Sequence, residues 1–252
     1  MLGRDHGELG TGLVDGSADG RTAWAISAGA STSVAARKAP GAPVNEDGLL
    51  VVDADEALLL AVADGHHGHE ASHRLLEGIA DRARSTTPWP RTSPGLARWI
   101  ATACAGGPPT PSSAASTLLV VVLDRGTGQL RGLSFGDSQA WVVPPRGRPR
   151  PLHPRTTAYV DPAAPESLAA ARAAPILADL PQGGWLVLQT DGVHECCYGR
   201  PERSVGPREL ETLAAEAGGS ARTLAADLLT LALRGVGGLP GGEDNVALIV
   251  HR

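Results

Sequence analysis

The chain has 252 residues, 42% of them hydrophobic, and its formal net charge is −5 at pH 7. No apolar run approaches the roughly 20 residues that a membrane-spanning helix needs, and no run of Lys or Arg is typical of a surface that follows a nucleic-acid backbone. We therefore expect neither a membrane nor a nucleic acid as a partner, and the length suits one domain with one substantial core.

The N-terminal segment is polar and rich in glycine. We expect a loose lead-in at 1–20 and a single folded domain at 21–252. Because the lead-in has no continuous apolar stretch, it does not resemble a secretory signal, and we expect a cytoplasmic protein. The three cysteines cannot form a disulfide framework, and Cys196 and Cys197 are adjacent, so we expect reduced thiols that pack in the interior.

The first half of the domain reads as strands followed by helices. Residues 22–27 (TAWAIS) alternate between polar and apolar side chains as a half-buried strand does. The apolar runs 49–53 and 58–63 flank an acidic turn, which is typical of a hairpin. Apolar side chains spaced four apart predict a helix over 69–84. Ser93 and Pro94 predict the start of a second helix, because serine caps free N–H groups and proline suits the first turn.

The second half returns to strands before it ends in helices and a final strand. Residues 117–143 predict three consecutive strands, and the stretch 144–164, rich in proline and arginine, predicts a surface loop. Antiparallel strands with helices grouped between them indicate an α+β layered domain. The remaining predicted elements are the strands 185–190 and 246–250 and the helices 207–216 and 221–234, the latter capped by Ser220.

Three aspartates stand at the ends of predicted strands. Asp64 follows LLLAVA, Asp191 follows WLVLQT, and Asp244 lies just before VALIV. If these strands are neighbours, the carboxylates converge, and Mg²⁺ and Mn²⁺ prefer such oxygen ligands. Each aspartate alone is weak support, because Asp-Gly and Asp-Asn are common turn dipeptides.

The segment 62–72 (VADGHHGHEAS) adds three histidines, His66, His67 and His69. A zinc site and a turn before a helix are both open interpretations. No cysteine or second histidine cluster supplies a closed tetrahedral set at the usual spacing, which favours the turn. His73, one helical turn after His69, leaves a transient metal site as the weaker alternative.

Several short motifs occur in one order along the chain, from about Asn45 to the C-terminus. Together they resemble the metal-dependent type 2C protein serine/threonine phosphatase family, the PPM-type phosphatases, in a bacterial-like single-domain form. The resemblance implies a four-layer α-β-β-α sandwich, in which helices flank two antiparallel sheets. The motifs are NED at 45–47, AVADGHHG at 61–68, Ser116-Thr117, Gly136-Asp137-Ser138, QTDGV at 189–193 and EDNVALIV at 243–250.

The resemblance also implies a dinuclear centre with two Mg²⁺ or Mn²⁺ ions. In that family pattern Asp64 would bridge the ions, the Gly65 carbonyl would bind one of them, and Asp191 and Asp244 would hold the other. A water activated by both ions would then attack phosphorus without a covalent phosphoenzyme.

Four further residues match functional positions of the family. Glu46 and Asp47 would organise metal-bound water, and Asp137, together with Asp191, would bind a third ion. His66 stands where the family often has a proton donor, which a leaving serine or threonine alkoxide needs.

The sequence departs from the family pattern at four places. Ala42 stands where an arginine usually binds the substrate phosphate, and Arg37 or Lys38 would have to replace it. His67 stands where glycine is usual, and Gln139 where arginine is common. An Asp-His pair expected in the next loop is missing, with Leu152-His153-Pro154 nearby.

The function that we expect is a phosphatase acting on phosphoserine or phosphothreonine in proteins. We expect a monomer that opposes a serine/threonine kinase. Two alternatives remain: a weakly active or inactive module that holds a phosphorylated regulatory partner, which the alanine at position 42 favours, and a phosphatase of a small phosphate ester.

Overall fold

The strands of the chain form two antiparallel sheets that pack face to face, in a computed structural model that describes residues 1–36, 44–105 and 114–252. Strands and helices are numbered in chain order. In spatial order, the first sheet contains Gly12–Gly16 (β1), Thr22–Ser27 (β2), Val246–His251 (β13), Trp185–Gln189 (β12), Gln139–Val143 (β9) and Arg150–Pro151 (β10). The second sheet contains Ala174–Asp179 (β11), Gln129–Phe135 (β8), Leu118–Asp124 (β7), Ala57–Ala63 (β4) and Gly48–Asp53 (β3).

Helices lie on the outer faces of the two sheets, and a short two-stranded ribbon lies beyond the end of β4 and before the start of β7. The ribbon pairs Gly65–His66 (β5) with Ala115–Ser116 (β6). The helices are Thr32–Ala36 (α1), Glu70–Ser85 (α2), Ser93–Cys104 (α3), Asp191–His194 (α4), Pro207–Glu216 (α5) and Ala221–Arg234 (α6). Short 3₁₀ turns occupy Gly3–Asp5, Pro165–Leu168, Ala170–Arg172 and Pro201–Arg203.

Three apolar clusters hold the layers together. One cluster lies between α2, α3 and the second sheet, one lies between the two sheets, and one lies between the first sheet and α5 and α6. Strand β4 contributes to two of them: Leu59 and Ala61 face the helices, whereas Leu58 and Leu60 face the other sheet. A strand covered on both faces reads as a continuous apolar run, as β4 does. The predicted α-β-β-α sandwich is therefore confirmed.

Four details differ from the sequence-based expectation. Part of the 1–20 lead-in is ordered, because β1 pairs with β2. Thr92, and not Ser93, caps α3, since its side chain accepts from the backbone N–H of Gly95. The three strands predicted in 117–143 exist, but β9 belongs to the other sheet from β7 and β8. Strand β11 was not predicted, and Pro175 within it suits an edge strand.

The helical predictions in the C-terminal third match the structure. Helices α5 and α6 have the predicted bounds, and the Ser220 side chain accepts from the backbone N–H of Thr223.

Among the residues that the structure describes, no helix is both long enough and apolar enough to cross a bilayer.

Candidate active site

The ends of four strands bring carboxylates that are distant in sequence to one end of the sandwich. Asp64 follows β4, and Asp47 immediately precedes β3, whose Gly48 pairs with Ala63 at the end of β4. Asp191 lies just beyond β12, and Asp244 lies just before β13, the neighbour of β12. Asp47 and Asp64 are buried, and Asp191 and Asp244 are half-buried.

The other carboxylates influence the protonation of Asp64. Burial is the largest cause that raises the pKa of Asp64 well above its ordinary value. The negative charges of Asp191, Asp47 and Asp244 raise the pKa further, as does a side-chain hydrogen bond with Asp47. A carboxylate surrounded by like charges favours a proton or a cation.

Asp191 has the same kind of environment. Desolvation raises its pKa well above the ordinary value, and Asp244, Asp47, Asp137 and Glu195 follow in decreasing order of effect. Asp137 therefore lies close enough to interact with this cluster. We call Asp47, Asp64, Asp137, Asp191 and Asp244 the carboxylate cluster.

Hydroxyl and amide side chains fix the backbone under the cluster. Thr117 Oγ1 accepts from the backbone N–H of Asp64 at 2.9 Å, and its own N–H donates to the Asp64 carbonyl at 2.9 Å. Thr190 Oγ1 donates to Asp47 Oδ2 at 2.7 Å. Asn245 Oδ1 accepts from the backbone N–H of Glu46 at 2.9 Å. The bonds from Thr190 to Asp47 and from Glu46 to Asn245 connect the two sheets, so the packing of the sheets helps to set the positions of the carboxylates.

Glycines allow the backbone to approach closely at two of the motifs. A Cβ on Gly65 would lie 2.6 Å from the Gly68 carbonyl oxygen and 2.9 Å from that of Glu46. A Cβ on Gly192 would lie 1.7 Å from the Asn245 carbonyl oxygen. No larger residue fits either position without a backbone shift, which explains the glycine after both Asp64 and Asp191.

His66 borders the carboxylate cluster. Its Nε2 lies 3.6 Å from Asp64 Oδ2, and its ring packs edge-to-face on Tyr159 with the ring centroids 4.3 Å apart. Burial lowers the pKa of His66, while the charge of Asp137 opposes that shift. Glu46 is buried and lies near enough to His66 to raise the histidine pKa, so it borders the site.

Tyr159 is a site residue that the sequence analysis missed. Burial, followed by the charges of Asp137 and Asp64, raises the pKa of Tyr159 to about 12. Tyr159 is therefore a neutral hydrogen-bond donor. It lies in the proline- and arginine-rich loop, where no periodic pattern marks a functional residue.

The other histidines of the 62–72 segment have different positions. His67 is exposed and has a positive φ of 63°. His69 and His73 have ring centroids 4.8 Å apart, and His73 Nε2 lies 3.2 Å from the Asp47 carbonyl oxygen.

Within the described ranges, no three His, Cys, Asp or Glu side chains already form a metal-ligating group. The cluster is close enough for repulsion but is not gathered around one point.

The departures from the family pattern have structural roles where they are described. Gln139 Oε1 accepts from the Trp141 indole N–H at 2.9 Å. His153 Nε2 accepts from the backbone N–H of Ala140, so its Nδ1 carries the proton and donates to the Pro154 carbonyl oxygen at 2.9 Å. Both side chains therefore support β9 and the loop after it. The positions of Arg37, Lys38 and Ala42 lie outside the described residues.

Cys196 and Cys197 are packing residues. Both side chains are buried, and their sulfur atoms lie 4.0 Å apart. Burial raises the pKa of Cys196 to about 11, so its thiol stays protonated at neutral pH.

Solved structures with the same fold are known, although no family model and no curated protein matches the sequence. A bacterial serine phosphatase is 16% identical, with a TM-score of 0.65 over 91% of this chain and 96% of that one. RsbX, solved in complex with magnesium, is 14% identical, with a TM-score of 0.60 over 95% and 98% of the two chains. The serine/threonine phosphatase of S. agalactiae is 16% identical, with a TM-score of 0.59 over 82% and 92%. The chain accordingly has the fold of the PPM-type serine/threonine phosphatases.

Proposed function

We propose that the protein is a metal-dependent phosphatase that hydrolyses phosphoserine or phosphothreonine in proteins. The observation that carries this proposal is the carboxylate cluster, in which burial and like charges raise the pKa of both Asp64 and Asp191. Buried like charges are unfavourable unless a proton or a cation neutralises them. We infer that divalent cations are the natural counter-charge.

The donor set fits Mg²⁺ or Mn²⁺. It is made of carboxylate and carbonyl oxygens, which these hard ions prefer to nitrogen or sulfur. The Asp64 carboxylate, the Gly65 carbonyl and the carboxylates of Asp191 and Asp244 would hold two such ions. Asp137 would help to hold a third. When bound, such ions would neutralise the charge of the phosphate and activate water for attack on phosphorus.

The chain's own residues would position the reactants. Glu46 and Asp47 would orient the attacking water, and the hydrogen bond from Thr190 holds the Asp47 carboxylate in place. His66 would donate a proton to the leaving serine or threonine oxygen. Burial works against its protonated form, so the negative charges of Asp137 and of the substrate phosphate would have to favour that form.

The substrate class and cellular setting are also proposals. Likeness to bacterial serine phosphatases supports a phosphoprotein substrate, and hence a kinase that phosphorylates it. We propose that the protein acts as a monomer in the cytoplasm. A module that binds a phosphorylated partner without turnover is the second candidate, because the sequence has Ala42 at the position of the family's phosphate-binding arginine.

An assay with an aryl phosphate tests the proposal. The parent protein should hydrolyse it only with Mg²⁺ or Mn²⁺, and Asp64→Asn and Asp191→Asn should each lose almost all activity. Asp55→Asn, an exposed carboxylate in the turn between β3 and β4, is the matched control and should keep full activity. A parent protein without metal-dependent turnover would support the binding module. Phosphopeptides compared with nucleotides and sugar phosphates then separate a protein phosphatase from a small-ester phosphatase.

A further inference from the structure

We propose that Arg155 binds the phosphate group of the substrate. This inference rests on the function proposed above and concerns substrate recognition at the same site. It follows from the position of Arg155 on a segment that borders the carboxylate cluster, from its ion pair, and from the charge of a phosphate ester.

The segment that carries Arg155 is tied to the site at two points. We call residues 154–160 the strap. Near its start, the Thr156 N–H donates to the Gly136 carbonyl oxygen at 2.8 Å, and Thr156 Oγ1 accepts from the Gly136 N–H at 2.8 Å. At its end, Val160 exchanges backbone hydrogen bonds of 2.9 and 2.8 Å with Ser116. Gly136 precedes Asp137, so the strap is held beside the carboxylate cluster.

Arg155 forms an ion pair with a carboxylate that follows α4. Its Nη1 lies 2.7 Å from Glu195 Oε1. Glu195 follows α4, whose first residue is Asp191, and its charge is among those that raise the pKa of Asp191. Arg155 is therefore ion-paired with an acidic side chain whose charge acts on Asp191.

A phosphate monoester that enters this site needs more positive charge than the ions alone supply. The ester is a dianion near neutral pH, and the carboxylate cluster repels it. A guanidinium has five N–H donors in a planar fork, and the contact with Glu195 engages one nitrogen. The Arg155 side chain is 44% exposed, so it can keep its contact with Glu195 while it donates to phosphate oxygens. Glu195 would serve as the group that orients it.

Titration calorimetry with inorganic phosphate tests the proposal on the full chain in Mg²⁺. Arg155→Ala should weaken phosphate binding about tenfold or more, which is the usual effect of losing a charge-assisted hydrogen bond. Arg155→Lys should be intermediate, because lysine keeps the charge but loses the fork. Arg146→Ala, an exposed arginine of the turn before β10, should bind phosphate as the parent does.

Further readouts separate recognition from a structural role. In the Arg155 variants, KM for a phosphopeptide should rise while the Mg²⁺-induced shift in Tm stays unchanged. The proposal is wrong if the parent does not bind phosphate, if Arg155→Ala binds it as tightly as the parent, or if Arg146→Ala loses as much. Phosphate binding that depends on Arg155 in a protein without turnover would defeat the proposed hydrolysis and leave this inference in place.

Discussion

Strand β4 and the residue just beyond it bury side chains with opposite consequences. Leu58, Leu60 and Val62 lie between the two sheets, are fully buried and contact apolar neighbours. Asp64, two residues after Val62, is buried and interacts with other carboxylates. Its pKa is raised because burial and the neighbouring negative charges disfavour its ionised form. The interior therefore stabilises the fold, whereas the cluster weakens the metal-free fold and favours cations.

The magnitudes explain how one strand can serve both purposes. Full burial of a leucine side chain contributes about 1.5–3 kcal/mol. An uncompensated buried charge costs several kcal/mol, a large share of the total stability of about 5–15 kcal/mol. The apolar layers must therefore supply the stability that the carboxylate cluster removes, and substitutions at the two places should have opposite effects on the metal-free protein.

The largest effect is expected between the sheets. Leu60→Ala should lower the free energy of unfolding by about 3–5 kcal/mol, because it removes buried methyl groups and leaves a cavity. Denaturant unfolding measures this loss. Leu177→Ala is the matched control, since Leu177 in β11 is 72% exposed. If the two variants lose equal stability, the inter-sheet core does not have the role assigned to it.

A buried histidine at the far end of β13 from Asp244 tests burial of an ionisable group outside the cluster. His251 is 3% exposed, and its Nδ1 lies 2.9 Å from Thr22 Oγ1. Burial, followed by the charges of Arg21 and Arg125, lowers its pKa to about 4. The unfolded chain therefore takes up this proton near pH 6.5, before the folded protein does. Stability from the neutral His251 is present above about pH 6.5 and is lost as the pH falls toward 4.

The resulting loss should be at most about 3 kcal/mol between those two pH values. The measurement is the pH dependence of the free energy of unfolding, compared between the parent and His251→Gln. The glutamine variant should lose less stability over this interval, because glutamine takes up no proton. Other acidic and histidine groups titrate in both proteins, so the variant should still lose some stability. Identical slopes in the two proteins would refute the assignment.

The sequence predicted elements whose signals are local. The bounds of α5 and α6 follow from helical periodicity and from the capping Ser220, and the β3–β4 hairpin follows from two apolar runs around an acidic turn. The sheet to which β9 belongs depends on packing partners far along the chain, and so does the edge strand β11. Neither has a local signal.

The candidate site divides in the same way. The carboxylates were predictable, because each stands at the end of a strong apolar strand. Thr117 lay in a recognised motif, but its hydrogen bonds to Asp64 could not be read from the sequence. Tyr159 and Arg155 lie in a loop without periodicity, and only the ties of that loop to Gly136 and Ser116 bring them to the site.

A gain in stability is expected at Asp64, opposite in sign to the loss at Leu60. Asp64→Asn should raise the metal-free free energy of unfolding by about 0.5–2 kcal/mol, the range of stabilising substitutions at functional sites. Because the pKa of Asp64 is raised, its favourable protonated form is lost as the pH rises through that pKa, so the variant's advantage should grow with pH.

Thermal unfolding with and without Mn²⁺ completes this test. Mn²⁺ should raise the Tm of the parent, since a ligand that binds only the folded state stabilises it. Asp64→Asn should lose most of that rise, while Asp55→Asn keeps it. A variant less stable than the parent without metal would contradict the view that the cluster destabilises the fold.

The smallest effect is expected at His67, in the turn between β5 and α2. The unfavourable contribution here comes from the backbone conformation and not from a buried charge. Its φ of 63° lies in the left-handed region, which is unfavourable for a residue with a Cβ. The side chain is exposed, so little packing is lost on its removal. His67→Gly should therefore stabilise the protein by up to about 1 kcal/mol, because relief of strain exceeds the extra entropy of glycine in the unfolded chain. His67→Ala keeps the Cβ and should gain nothing, and equal unfolding midpoints for the glycine and alanine variants would show that the turn is unstrained.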